Sequence, residues 1–250
     1  MKQFRFTGAL FCAAIVFLFT SCGGGTNEKT TATDSAAAAD SAAKADAAAK
    51  AASTIVTTPQ NMVVVTHKVA NYAKWLSSYE AHDSARLAAG MHDYVVGRGV
   101  KDSNMVLVAI RIDDTAKAKA FMKDPGLKKA MEKGGVVGKP MVSITTSVWQ
   151  DTAHIDPNTI RAMTSITVKD WDAWYKSFED GKQFRLDNGI ADRVVGHDIN
   201  DNKKVNVVTA LSDTAKASVY YKSDELKKRM AAGGVVGEPV RFFFTITKRY

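Results

Sequence analysis

The chain has 250 residues, 46% of them hydrophobic, and 34 Lys and Arg outnumber 26 Asp and Glu for a formal net charge of +8. That length suits one or two domains. The basic residues are scattered among acidic ones with no aromatic-basic stripe, which argues against nucleic acid as a partner; the two cysteines, Cys12 and Cys22, both sit at the front, so the rest of the chain has no disulfide, thiol nucleophile or thiol metal ligand.

Residues 1–22 read as a targeting segment. Lys2 and Arg5 give a positive start, and residues 9–19 form an apolar run too short to span a bilayer as a mature helix. Phe19-Thr20-Ser21-Cys22 resembles the end of a bacterial lipoprotein signal, where small residues precede a cysteine that becomes acylated. The expectation is lipidation at Cys22, a membrane partner through that lipid, and a place in the bacterial envelope facing the periplasm. Residues 23–58 follow as a low-complexity tether with almost no large apolar side chain, too poor to build a core. Its Ala-rich part, 35–52, favours helix, helped by the i,i+4 pairs Asp40–Lys44 and Asp46–Lys50.

From residue 59 onward the chain repeats itself. Gly134-Gly135-Val136-Val137-Gly138-Lys139-Pro140 returns 99 residues later as Gly233-Gly234-Val235-Val236-Gly237-Glu238-Pro239. The same offset carries Asp114-Thr115-Ala116-Lys117-Ala118 onto Asp213-Thr214-Ala215-Lys216-Ala217, Trp75 onto Trp174, Arg86 onto Arg185 and Gly90 onto Gly189, without a gap. Self-similarity at one fixed offset is the mark of a tandem duplication. It predicts a first repeat over 59–150, a linker over 151–160 and a second repeat over 161–250.

Each repeat predicts the same elements. Runs rich in β-branched residues at 62–69 and 162–168 are first strands. Helices follow over 72–89 and 171–188, capped by Asn71 and Asp170 and stopped by Gly90 and Gly189. Two strands come next, about 91–100 and 105–112, matched by 190–199 and 204–211. A second helix, capped by Asp113 or Ser212, breaks near Pro125 in the first copy and ends at Gly134 or Gly233. Last strands cover 141–149 and 240–247. The order is β-α-β-β-α-β, the ferredoxin-like arrangement. In the third strand both parities are apolar: Val106, Val108, Ile110 and Ile112 on one face, Leu107 and Ala109 with Arg111 on the other. A sheet buried on both faces needs a second layer besides its helices. The prediction is therefore an α+β chain of two tandem ferredoxin-like repeats whose sheets meet as an intrachain pseudo-dimeric α+β barrel, monomeric as a whole.

Asn71-Tyr72-x-x-Trp75, Arg86-x-x-x-Gly90, the Asp114 to Ala118 helix start and the segment 127–140 together resemble the dimeric α+β barrel superfamily, which includes the antibiotic-biosynthesis monooxygenase-like domains. The resemblance covers both repeats. It implies the barrel fold and a range of roles: cofactor-free monooxygenases, isomerases, haem-degrading enzymes and members without known activity. Haem-degrading relatives place an Asn, a Trp and a His around the cavity. That trio does not map here, because Trp75 and Trp174 begin a helix and no histidine recurs at matching positions of both repeats; no cofactor is expected.

Among individual residues, His67 shares a strand parity with Val65 and Val69, and is replaced by Ile166 in the second copy. An imidazole with an ordinary pKa near 6.5 suits general-base work, so His67 is a candidate catalytic residue, with Arg111 beside it as a second. Arg86 and Arg185 are candidates for gripping an acidic ligand, or for a structural ion pair. His92 and His197, on the second strands with Arg98 and Arg193, are candidate ligand contacts. His82-Asp83 and His92-Asp93 are adjacent pairs rather than an i,i+4 helical pair, so no metal site is expected. The glycines of Gly-Gly-Val-Val-Gly follow a helix and read as a cap and turn, not a phosphate loop. Because no catalytic set recurs in both copies, the expected role is a lipoprotein that binds a small, partly apolar molecule or a protein partner without catalysis. The alternative is a cofactor-independent monooxygenase- or isomerase-like enzyme using a cavity between the repeats.

Overall fold

The computed structural model describes residues 54–250; the signal segment, Cys22 and the tether up to residue 53 lie outside the described residues. No helix among the described residues is long and apolar enough to cross a membrane. The first half runs β1 (Ile55–Val56), β2 (Gln60–Val69), α1 (Tyr72–Glu80), α2 (Asp83–Ala88), β3 (Met91–Gly99), β4 (Met105–Ile112), α3 (Thr115–Phe121), α4 (Pro125–Gly134) and β5 (Val136–Asp151). The second half runs β6 (Arg161–Val168), α5 (Trp171–Asp180), α6 (Lys182–Asp187), β7 (Ile190–Asp198), β8 (Lys204–Leu211), α7 (Thr214–Tyr221), α8 (Asp224–Ala232) and β9 (Val235–Arg249).

All pairings are antiparallel, in the order β1-β5-β2-β4-β3-β9-β6-β8-β7, and β5 also pairs with β7. That last pairing closes every strand but β1 into a ring, and closure removes the sheet edges that otherwise invite aggregation. The orders β5-β2-β4-β3 and β9-β6-β8-β7 follow the same pattern in the two halves. The ring is joined at β3–β9, from Val95 opposite Arg249 to Gly99 opposite Phe244, and at β5–β7, from Thr145 opposite Asp198 to Gln150 opposite Val194. Each joint needs a glycine. A Cβ on Gly97 meets the Phe244 ring, and one on Gly196 runs into the Thr146 carbonyl.

Strand parity divides the core in two. Val63, Val69, Val106, Val108 and Ile110 point outward and pack with Trp75 of α1. Val168, Val205 and Val207 do the same with Trp174 of α5. Met62, Leu107 and Ala109 point inward and meet Phe244 and Ile246 of the other half inside the ring. Trp75 and Trp174 are 3% and 4% exposed, so truncating either to Ala costs about 3–5 kcal/mol.

Three local expectations need correction. The helix predicted over 72–89 is two helices, α1 and α2, and that over 171–188 is α5 and α6. The breaks let Arg86 and Arg185 fold back and donate to the Tyr79 and Phe178 carbonyls in the last turns of α1 and α5. Each carbonyl also accepts one backbone N–H from just past its helix, His82 onto Tyr79 and Gly181 onto Phe178, and the guanidinium adds a second donor to it. The caps of α3 and α7 are Asp114 and Asp213, one residue beyond Asp113 and Ser212, because their carboxylates accept backbone N–H bonds from the first helical turn. Finally, residues 54–58, assigned to the tether, include β1, which pairs Ile55 with Asp151 and Val56 with Gln150.

Candidate active site

Two clefts lie between helices and sheet, one in each half, and a smaller cavity lies inside the ring. The first cleft, about 290 Å³, is walled by Trp75, Tyr79, Met91, Phe121, Met122 and Met131, with His67 among its lining side chains. The histidine is 7% exposed. Neither of its ring nitrogens has a hydrogen-bond partner among the described residues, and its ring lies 5.3 Å from that of Trp75. Burial pushes its pKa down from 6.5 to about 4, so it stands neutral at pH 7. A buried polar group is normally satisfied. His67 departs from that rule at the wall of an apolar cleft.

Arg86 lines the same cleft, but its guanidinium is committed. Nε and Nη2 donate to the two carboxylate oxygens of Asp93 at 2.9 and 2.7 Å, and Tyr79 Oη donates to the same carboxylate at 2.5 Å. Arg185 repeats the pattern on Asp192 at 2.8 and 2.6 Å. Each Arg also stacks on an aromatic ring, Tyr79 at 3.8 Å and Phe178 at 3.5 Å. These bidentate pairs tie α2 to β3 and α6 to β7. The sequence marks Asp93 only beside His92, and neither Asp93 nor Asp192 as an arginine partner, although the two recur at the same offset as the arginines.

The second cleft is also about 290 Å³ and is lined by Trp174, Phe178, Arg185, Tyr221, Thr209 and Arg241, with Ile166 where the first has His67. The Nε of Arg241 is buried without an acceptor. The ring interior holds a cavity of about 100 Å³, with Met62, Leu107 and Phe244 on its apolar wall and Tyr94, Gln150, Asp151, Arg161, Arg193 and Arg249 on its polar side. Of these polar residues, the sequence pattern singles out only Arg193.

The two candidate catalytic residues are not brought together. His67 faces the helices and pairs with Val106, whereas Arg111 faces inward at the other end of the same ladder, opposite Met62. Arg111 lies over the Tyr94 ring at 4.2 Å. His92 pairs at the surface with Asp113 at 2.8 Å. His197 sets its ring edge-on to Trp171 at 4.7 Å and contacts the Asp198 carbonyl at 3.0 Å. Neither lines a cleft described above. Bulges between Asp93 and Val95, and between Asp192 and Val194, explain why simple alternation misassigns these strands.

No family model matches the chain, and no curated protein is similar to it. The likenesses are to solved structures. An anthrone oxidase-like protein is 15% identical, covering 78% of this chain and 95% of that one, with a TM-score of 0.57. A provisionally named chlorite dismutase is 12% identical over 76% of this chain and 96% of that one, with a TM-score of 0.52. A provisionally named monooxygenase from Fusobacterium nucleatum subsp. nucleatum is 13% identical over 77% and 94%, with a TM-score of 0.51. The chain shares the fold of these proteins.

The expectation of a binding protein without catalysis is corrected here. Its fold neighbours bear the names of enzymes, a monooxygenase, an anthrone oxidase-like protein and a chlorite dismutase, and the enzymatic alternative is better supported. The argument from the missing repeated set fails for a physical reason. One base in one cleft suffices, and the other half is free to diverge.

Proposed function

We propose that this chain is a cofactor-independent oxygenase- or isomerase-like enzyme that abstracts a proton from a flat, apolar carbonyl compound, with His67 as the base. The carrying observation is the orphan imidazole of His67 on an aromatic- and Met-walled cleft of about 290 Å³. A neutral imidazole removes an acidic proton alpha or vinylogous to the carbonyl. The imidazolium and enolate so formed attract each other strongly in a site of low dielectric, which offsets the burial that keeps the free histidine neutral. The enolate is then reprotonated elsewhere, which is isomerisation, or reacts with O₂.

Anthrone is the probe for the second route. It loses a C10 proton to His67, its enolate adds O₂ to give a C10 peroxide, and cleavage of the O–O bond with loss of the second C10 hydrogen yields anthraquinone and water. The test is oxygen uptake together with anthraquinone absorbance. We expect turnover above the buffer rate, lowered about 100-fold in His67→Ala, with an acid limb in the free enzyme's pH profile near pH 4. Equal rates for the two proteins, each checked for folding by circular dichroism, would remove His67 from the mechanism.

The same reading places the enzyme at the bacterial envelope, lipidated on Cys22 and facing the periplasm. It takes the two halves as tandem ferredoxin-like repeats that close one barrel within a single chain. The lipoprotein-like run ending at Cys22 and the gap-free 99-residue offset support this. Mass spectrometry of the full chain extracted from bacterial membranes checks both points: a lipid mass on Cys22 and one copy per particle are expected.

A further inference from the structure

We propose that the cavity inside the ring is an anion site, taking the carboxylate of a short, branched organic acid between Arg161, Arg193 and Arg249. His67 faces the other side of the sheet and has no part in this site.

It begins with a pattern across the two halves. Arg161, Arg193 and Arg249 all line this cavity, and so do the residues 99 positions before them, Met62, Tyr94 and Gln150. At all three positions the first half is uncharged and the second carries arginine. Three such exchanges converging on one small cavity make a directed charge. Asp151 is the one carboxylate among the lining side chains, so the arginines are in excess by two positive charges.

The three guanidiniums are held differently, in a way that suits a ligand. Arg161 is 2% exposed, and its Nη1 donates to the Pro157 and Thr159 carbonyls at 3.1 and 2.7 Å. It is fixed in place by carbonyls and makes no ion pair among the described residues, though the Asp156 charge offsets part of its burial. Burial draws its pKa down to about 10, and the charges of Arg249 and Arg193 add to the effect. Arg193 is turned inward beside the β7 bulge, and its Nη1 donates to Asp151 at 2.7 Å. Arg249, at the exposed end of β9, makes no side-chain hydrogen bond or ion pair among the described residues; its nearest ring is Tyr94, at 5.9 Å. One arginine is thus buried and fixed, one is paired, and one is free to close on an arriving anion. Arginine is the cation best matched to a carboxylate, because its planar fork offers two parallel donors.

The size of the cavity sets the rest of the ligand. About 100 Å³ is less than the roughly 150 Å³ that accepts benzene in an engineered core. Fused rings belong in the outer clefts, and a short branched chain belongs here, against Met62, Leu107, Met163 and Phe244.

The experiment is isothermal titration calorimetry of the full chain with isovalerate, its neutral isostere isovaleramide, and sulfate. Isovalerate is expected to bind at least about tenfold more tightly than either of the others. Arg249→Gln, an exposed substitution, is expected to keep the fold by circular dichroism and to weaken isovalerate about tenfold, while Arg241→Gln in the second outer cleft leaves it unchanged. The proposal is overturned if isovaleramide or sulfate binds as well as isovalerate, if Arg249→Gln has no effect, or if the loss appears in Arg241→Gln instead. Loss of anthrone turnover in His67→Ala bears on the outer cleft alone, so the two readings fail separately.

Discussion

The first and second helix–sheet clefts share a frame and differ in chemistry. Both are about 290 Å³, both have a buried tryptophan from the first helix of their half, and both are braced by an Arg–Asp pair between a short helix and a strand. Within that frame His67 is exchanged for Ile166, Tyr79 for Phe178, Ile110 for Thr209, Met122 for Tyr221 and Val142 for Arg241. The first cleft becomes a largely apolar chamber with the buried, unpaired His67 on its wall. The second acquires a guanidinium over the Tyr221 ring at 4.6 Å and a Thr209–Tyr221 hydroxyl contact at 3.4 Å. The comparison teaches that the bracing and the chemistry sit on different residues, so one can change while the other stays.

The strongest way to test the shared frame is to break its braces. Asp93→Ala leaves Arg86 buried without its carboxylate and should cost about 4 kcal/mol in urea unfolding. Asp192→Ala should cost less, because the Arg185 side chain is 11% exposed against 5% for Arg86 and Phe178 has no hydroxyl to add a third bond. Equal losses would mean that the tyrosine contributes nothing to the first brace.

The next effect sharpens the difference between the clefts. Free in an unfolded chain, His67 takes up a proton near pH 6.5; in the folded cleft it does so only near pH 4. The unfolded state therefore binds more protons in this interval. The stabilising contribution is complete above pH 6.5 and is lost as pH falls toward 4, by about 3 kcal/mol. His67→Phe should remove that part of the acid sensitivity, measured as urea midpoints at pH 7 and pH 4.5. An unchanged slope would mean that His67 is solvated after all. The smallest effect belongs to the second cleft. Arg241→Met removes a buried donor that has no acceptor and should raise stability by about 1 kcal/mol, seen as a higher melting temperature. A fall would show that Arg241 has found an acceptor in solution.

Much of the frame was legible in the residues. The third strand's two apolar faces anticipated a sheet covered on both sides, and Val108 and Leu107 do pack on opposite sides of it. Trp75 and Trp174 fell on the helical stripe and are buried there. The candidate site was only partly legible. His67 was picked out for its chemistry, but which cavity it faces was not readable, and Arg111 was grouped with it although the sheet separates them. Asp93 was overlooked as a partner for Arg86, because a bulge after it breaks the alternation on which strand faces are assigned. The three inner arginines stand at 161, 193 and 249, too far apart for any local pattern to connect them.

The sequence by itself determined the order of the strands and the helical segments between them, the caps Asn71 and Asp170, and the recurrence of residues 99 positions apart, because periodicity and capping act over a few residues and repetition is visible by direct comparison. Only the tertiary structure decided which face of each strand meets which cavity, which arginines are already satisfied and which stand free. Those outcomes depend on bulges and on the closure of β3 on β9 and β5 on β7, and on contacts between segments whose separation in the chain carries no local signal.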